Sequence, residues 1–135
     1  MANAFYPKFI EAMIGQAFAG TPTITGTLKS VLIDTADYTY SSAHDFYDDA
    51  SAGAVGTPTT LASQTYTNGL LDGADTTFTA VTGDQSEAII LFLDTGTPAT
   101  SRLVAYIDTG VTGLPVTPNG GNIAIGWNAS GILQF

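Results

Sequence analysis

Glu87-Ala88-Ile89-Ile90-Leu91-Phe92-Leu93 is almost uninterrupted apolar sequence. A run of that kind is either a strand buried on both faces or a segment of buried helix. We read it as a central strand, because the chain around it has the texture of an all-β protein. From Thr21 onward threonine is abundant, and short β-branched runs alternate with Gly, Pro, Asn and Asp at intervals of about ten residues, the spacing of a sandwich or barrel. Candidate strands cover residues 23–27, 28–34, 63–67, 76–81, 87–93, 103–108, 122–127 and 132–135. Eight strands suit a jelly-roll-like antiparallel β-sandwich. Asn68-Gly69 is a strong two-residue turn signal, and Asn119-Gly120-Gly121 and the stretch 128–131 separate the last strands with similarly permissive residues.

The N-terminal segment differs. Phe9, Ile10, Met13, Ile14, Ala17 and Phe18 recur at helical spacing, Pro7 suits the first helical position, and Gly20 can end the helix. Gly15 weakens that helix by about 1 kcal/mol relative to Ala, so it needs an apolar surface to lie on. The expected organisation is therefore a helix or arm at 1–20 and a single β-sandwich domain at 21–135. Between the second and third candidate strands, residues 41–49 can form one capped helical turn, followed by a flexible stretch at 50–60, and we read the whole as an exposed excursion.

Composition narrows the function classes. The 135 residues are 44% hydrophobic and 11% charged, too apolar for a disordered chain and long enough for one core. With no cysteine, disulfides, a thiolate nucleophile, cysteine-based zinc sites and iron–sulfur clusters are all excluded. The only basic residues are Lys8, Lys29 and Arg102, against 12 acidic residues and a net charge of -9. That balance disfavours nucleic acid and anionic membrane surfaces as partners. The opening MANAFYPKFI lacks a signal-peptide pattern and the run 88–93 is too short to span a bilayer, so the chain reads as soluble and unprocessed.

The motifs that suggest chemistry have simpler structural readings. Asp94-Thr95-Gly96, echoed by Asp108-Thr109-Gly110, has the residues of an aspartic-protease turn. It comes late in the chain, however, Thr97 follows where Ala or Ser is usual, and no flap fits before Ile123-Ala124-Ile125-Gly126. Each triplet is better read as a turn whose Asp caps backbone amides. His44 beside Asp45, Asp48 and Asp49 could suggest acid–base chemistry or a metal, but no nucleophile or metalloenzyme spacing accompanies it, and a solvated or capping role fits better. Asp34, Asp37, Asp45, Asp48, Asp49, Asp72 and Asp75 never form an EF-hand pattern and read as a solubilising surface, with calcium left open. Asn128-Ala129-Ser130 is a sequon that also makes a turn, and no glycine motif opens a phosphate-binding helix. Tyr38, Tyr40, Phe46 and Tyr47 could form a sugar- or protein-binding surface, or core. No catalytic, cofactor-binding or metal-binding residue is expected.

Two blocks resemble structural proteins of tailed-phage virions. One is the stretch 34–49, DTADYTYSSAHDFYDD. The other runs from Ala80-Val-Thr-Gly-Asp-Gln-Ser-Glu87 through Asp94-Thr-Gly-Thr-Pro-Ala-Thr-Ser-Arg-Leu103 and Tyr106-Ile-Asp108 to Gly113-Leu-Pro-Val-Thr-Pro-Asn-Gly-Gly121. Together they cover about half the chain. Members of that family often carry a more polar, lysine-rich first helix than Phe5-Tyr6-Pro7-Lys8-Phe9-Ile10-Glu11-Ala12-Met13-Ile14. The resemblance implies a non-enzymatic virion protein, most like the capsid decoration or cement proteins that clamp shells. Partners would be the major capsid protein, further copies of this chain, or both, and the protein would be a homo-oligomer. A negative protein would be repelled by packaged DNA, so the capsid exterior is the expected location. Phe5, Tyr6, Phe9, Ile10 and Met13 are the expected apolar interface anchors, with completion of the chain's own core as the competing role. The alternatives are a tail, baseplate or head–tail connector component, or a carbohydrate- or receptor-binding module.

Overall fold

The computed structural model describes residues 3–135. In chain order the elements are β1 (Ala4–Phe5), α1 (Pro7–Ala19), β2 (Thr27–Ile33), β3 (Ala54–Thr60), β4 (Thr65–Thr67), β5 (Leu70–Asp72), β6 (Thr76–Phe78), β7 (Ala88–Asp94), β8 (Arg102–Ile107), β9 (Ile123–Ile125) and β10 (Leu133–Gln134). The protein is mostly β, all strand pairs are antiparallel, and α1 is the one α-helix among the described residues. Five strands form the main sheet in the order β1-β8-β7-β2-β3, and smaller sheets have the orders β10-β5-β4 and β6-β9.

The apolar run is indeed central. β7 lies between β2 and β8, and Ile89, Ile90 and Leu91 are all fully buried, which requires cover on both faces. Register places Ile90 between Val31 and Tyr106, and Ile89 between Leu32 and Ile107. Successive residues point to opposite faces, so 88, 90 and 92 look one way and 89, 91 and 93 the other. The excursion after β2 covers the first face: Tyr47 stacks on Phe92 and Tyr40 leans on Tyr106. On the second face, Leu28 and Leu93 share a groove with Leu70 and Leu71 of β5, while Phe5 packs on Phe135.

The outer margin of β8 is closed piece by piece. Phe46 forms a bridge to Arg102, the Leu103 N–H donates to the Asp45 carbonyl, the Tyr6 N–H donates to the Val104 carbonyl, and β1 pairs with Ala105 and Tyr106. At the opposite margin, β3 is interrupted. Ser30 faces Thr59 and Leu32 faces Val55, so Gly56, Thr57 and Pro58 bulge opposite the single residue Val31. Gly56 has φ 75°, and Pro58 carries no N–H, two features that suit an edge strand.

Several expectations are corrected. Among the described residues there are ten strands where eight were expected. Residues 23–26 are not a strand: Gly26 at φ 132° turns the chain against the backbone of Leu93 and Asp94, and the Ile24 N–H donates to Gln16 Oε1 beside the helix end. The stretch 50–60 is largely β3, its Gly and Pro making the bulge rather than a flexible loop. The excursion is not simply exposed, since Tyr38, Tyr47 and Ala50 are buried, and its helical turn is a 3-10 turn at Tyr47–Asp49. The N-terminal segment, from residue 3 onward, is built into the body through β1, with Tyr6 and Phe9 in the common core. Residues 1 and 2 of that expected arm lie outside the described residues. The helix itself runs as the pattern implies, with Pro7 first and Gly20 as a left-handed cap.

Candidate protein-interaction surface

An open groove of about 530 Å³ lies where α1, the second face of the main sheet and the β4–β5 hairpin meet. Phe9 and Met13 come from α1, Leu28 and Leu93 from the sheet, and Leu70 and Leu71 from β5. Tyr66, 71% exposed, and Phe135, 47% exposed, stand at its sides. None of the side chains that line it carries a charge, although the side chains of the whole chain sum to -9. Local sequence explains each wall. Asn68 and Gly69, at φ 52° and 78°, take the two left-handed positions of a tight hairpin turn and so place Tyr66 and Leu71 opposite one another across β4 and β5. The Phe135 N–H donates to the Gly69 carbonyl, which holds Phe135 against the same hairpin.

Beside the groove, α1 presents a second apolar stripe. Ile10 is half-buried, Ile14 is 52% exposed and Phe18 86% exposed, each one helical turn from the last. The buried side of α1 is Phe9 and Ala12.

The five expected anchors divide. Tyr6 is fully buried and Phe9 nearly so; Tyr6 is therefore a core residue, and Phe9 shows the groove only its inner wall. Tyr6 bonds Tyr38 through their hydroxyls at 2.8 Å, an inward role that an interface anchor could not have. Met13 lines the groove, Phe5 backs its Phe135 wall at 4.8 Å between ring centroids, and Ile10 begins the outer stripe. Residue pattern along the N-terminus did not show Leu28, Leu70, Leu93, Tyr66 or Phe135. The candidate strand at 63–67 and the Asn68-Gly69 turn signal pointed to the first strand and turn of the hairpin that brings Tyr66 and Leu70 there, while β5 itself was not expected.

His44 is neither simply solvated nor a cap. Its Nδ1 bonds the Tyr38 hydroxyl at 2.8 Å, which extends the chain from Tyr6 through Tyr38 to His44. Burial raises the phenol of Tyr6 well above the ordinary tyrosine range, helped by the Tyr38 hydrogen bond, and burial likewise raises that of Tyr38, so both hydroxyls stay protonated. Both Asp-Thr-Gly triplets are turns. Asp94 Oδ1 accepts the Gly96 N–H at 2.8 Å while Oδ2 pairs with Lys29 Nζ at 2.7 Å, and that lysine, followed by the Gly96 bond, lowers the Asp94 pKa. At the second triplet, Asn3 Oδ1 accepts the N–H groups of Asp108 and Thr109. Of the loop aspartates, Asp34 and Asp37 come together with Asp84, their oxygens within 4.8 Å, and Asp34 gives one oxygen to the Ala36 N–H. Asn128 closes a turn by accepting the Ser130 N–H.

The described residues thus define a mostly β, antiparallel protein with one α-helix and an apolar groove lined by uncharged side chains. Compared with known proteins, the chain matches no family model and no curated protein. No helix among the described residues is long and apolar enough to cross a membrane.

Proposed function

We propose that this chain is a structural protein of a tailed-phage virion, of the capsid decoration or cement kind, which acts by adhesion and turns over no substrate. The observation that carries the adhesive part is the concentration of exposed apolar side chains at and beside one groove lined by uncharged side chains: Ile14, Phe18, Tyr66 and Phe135 are the exposed large hydrophobics among the described residues. Apolar surface gains roughly 25 cal/mol per Å² on leaving water, and a patch bordering a concave groove marks a binding site. The fitting occupant is a capsid subunit that offers apolar side chains to the groove and no acidic ones, since the rest of this chain is strongly negative. The virion assignment is supported by the resemblance of 34–49 and of the blocks between 80 and 121. The negative charge favours the outside of the shell.

The test mixes purified protein with undecorated shells and images the particles, comparing wild type with a variant carrying Phe18→Ser, Tyr66→Ser and Phe135→Ser. We expect ordered decoration by wild type and its loss in a variant that still unfolds cooperatively. Failure of wild type to decorate, or full decoration by the variant, overturns the reading; density at the tail alone moves the protein to a tail component.

A further inference from the structure

A second cavity, of about 320 Å³, opens on the other face of the main sheet between residues 35–40 and the ends of β7 and β8. Tyr38, Tyr40 and Tyr106 line it together with the acidic residues Glu87 and Asp108. We propose that it binds a primary alkylammonium ion, with the aromatic rings around the cation and Glu87 accepting its N–H bonds. This inference is independent of the adhesive groove.

Geometry supplies the first reason. The rings of Tyr40 and Tyr106 stand 5.8 Å apart between centroids and are inclined at 56°, so they form a corner rather than a stack. A cation over the face of such a ring, within about 6 Å of its centroid, is attracted by the ring quadrupole. The rings are also held in place. Tyr40 donates its hydroxyl to the Phe5 carbonyl at 2.8 Å, and the Tyr38 hydroxyl is engaged by Tyr6 and His44. Side chains fixed before binding lose little freedom when a ligand arrives.

The second reason is an orphaned acceptor. Glu87 Oε1 accepts the Thr35 hydroxyl at 3.1 Å, whereas Oε2 is shielded from solvent and has no hydrogen-bond donor among the described residues. A buried carboxylate oxygen without a donor is costly, and an ammonium supplies both the donor and the compensating charge. The chain's own basic side chains are placed elsewhere: Lys8 pairs with Glu11, Lys29 with Asp94, and Arg102 lies over the ring of Phe46. Burial, then the nearby Asp108 and Glu87, raises the Tyr106 phenol above its ordinary value, so that ring keeps its hydroxyl proton. A neutral sugar would meet mainly acceptors and few donors here, and a quaternary ammonium has no N–H for Glu87.

The experiment is a titration of the full chain, followed by amide NMR shifts, with n-butylammonium chloride, tetramethylammonium chloride, n-butanol and matched sodium chloride. We expect saturable shifts around Tyr38, Tyr40, Glu87 and Tyr106 with n-butylammonium, affinity weaker by about tenfold for tetramethylammonium, and no saturable binding of butanol, because hydrogen bonds to charged groups carry such a difference. Glu87→Gln should weaken n-butylammonium by at least about tenfold on the same grounds. Absence of saturable shifts, equal binding of butanol, or unchanged affinity in the Glu87→Gln protein overturns the proposal. The comparison among the ligands on wild type decides the matter even if that variant fails to fold.

Discussion

Tyr47 lies face to face on Phe92, with ring centroids 4.1 Å apart and planes inclined by only 4°. Phe92 belongs to the central strand and Tyr47 to a 3-10 turn in the excursion after β2, so this one contact fastens a connecting segment to the middle of the sheet. Both residues are buried, and burial followed by the nearby negative Asp94 raises the Tyr47 phenol, leaving it neutral and compatible with the stack. We expect Tyr47→Ala to cost about 3 kcal/mol in urea unfolding, the order found for aromatic truncation in cores. Amide exchange in residues 34–53 should rise with it. A loss below about 1 kcal/mol would show that the excursion is not part of the core.

The Tyr6, Tyr38 and His44 chain makes a different prediction. Tyr38→Phe removes the partner of the buried Tyr6 hydroxyl and should destabilise by about 1–3 kcal/mol, the cost of an unpaired buried polar group. Replacing both tyrosines by Phe should recover part of that loss, because no hydroxyl is then stranded. Denaturant midpoints of the two single variants and the double variant measure the coupling. Simple additivity would contradict it.

At Gly15, helix propensity and packing oppose one another. Ala is favoured over Gly in a helix interior by about 1 kcal/mol. A Cβ on Gly15, however, would sit 2.6 Å from the Thr21 carbonyl oxygen, a backbone atom fixed where the chain leaves the helix. We expect packing to dominate, so Gly15→Ala should lower the melting temperature. A rise would mean that the turn after α1 yields easily.

Asp94 and Lys29 give the protein an acid-sensitive contact. The lysine, then the Gly96 N–H, lowers the Asp94 pKa below its ordinary 3.8, so the folded state binds its proton less readily than the unfolded chain. The stabilisation is therefore complete above that ordinary value and disappears as pH falls through the lower value of the folded protein. Asp94→Asn should melt below wild type at neutral pH, with the two curves converging in acid. A gap that stays constant with pH would assign the effect to something other than the charge.

What the sequence revealed follows from range. The run 88–93 and the helical spacing of Phe9, Ile10, Met13 and Ile14 are local patterns, and both became the elements expected. The missed strands lack such patterns. β1 is two residues long and exists only because β8 has an open margin beside it. β3 contains Gly56 and Pro58, ordinarily breakers, accommodated in a bulge that depends on Val31. The groove was legible only at its helical wall, since Leu28, Leu70, Leu93 and Phe135 are far apart along the chain and meet only through strand pairing. Tyr6 looked like an anchor because periodicity shows that a residue is apolar, not which neighbour covers it.

The two margins of the main sheet also bear on how the molecule tolerates crowding. A straight, unpaired strand invites another chain to join its ladder and continue into a ribbon. Here the kinked Gly56-Thr57-Pro58 segment and the patchwork along Arg102–Ile107 deny such templating. At these two margins a second copy meets no continuous row of backbone donors and acceptors, so a contact made there is left to side chains.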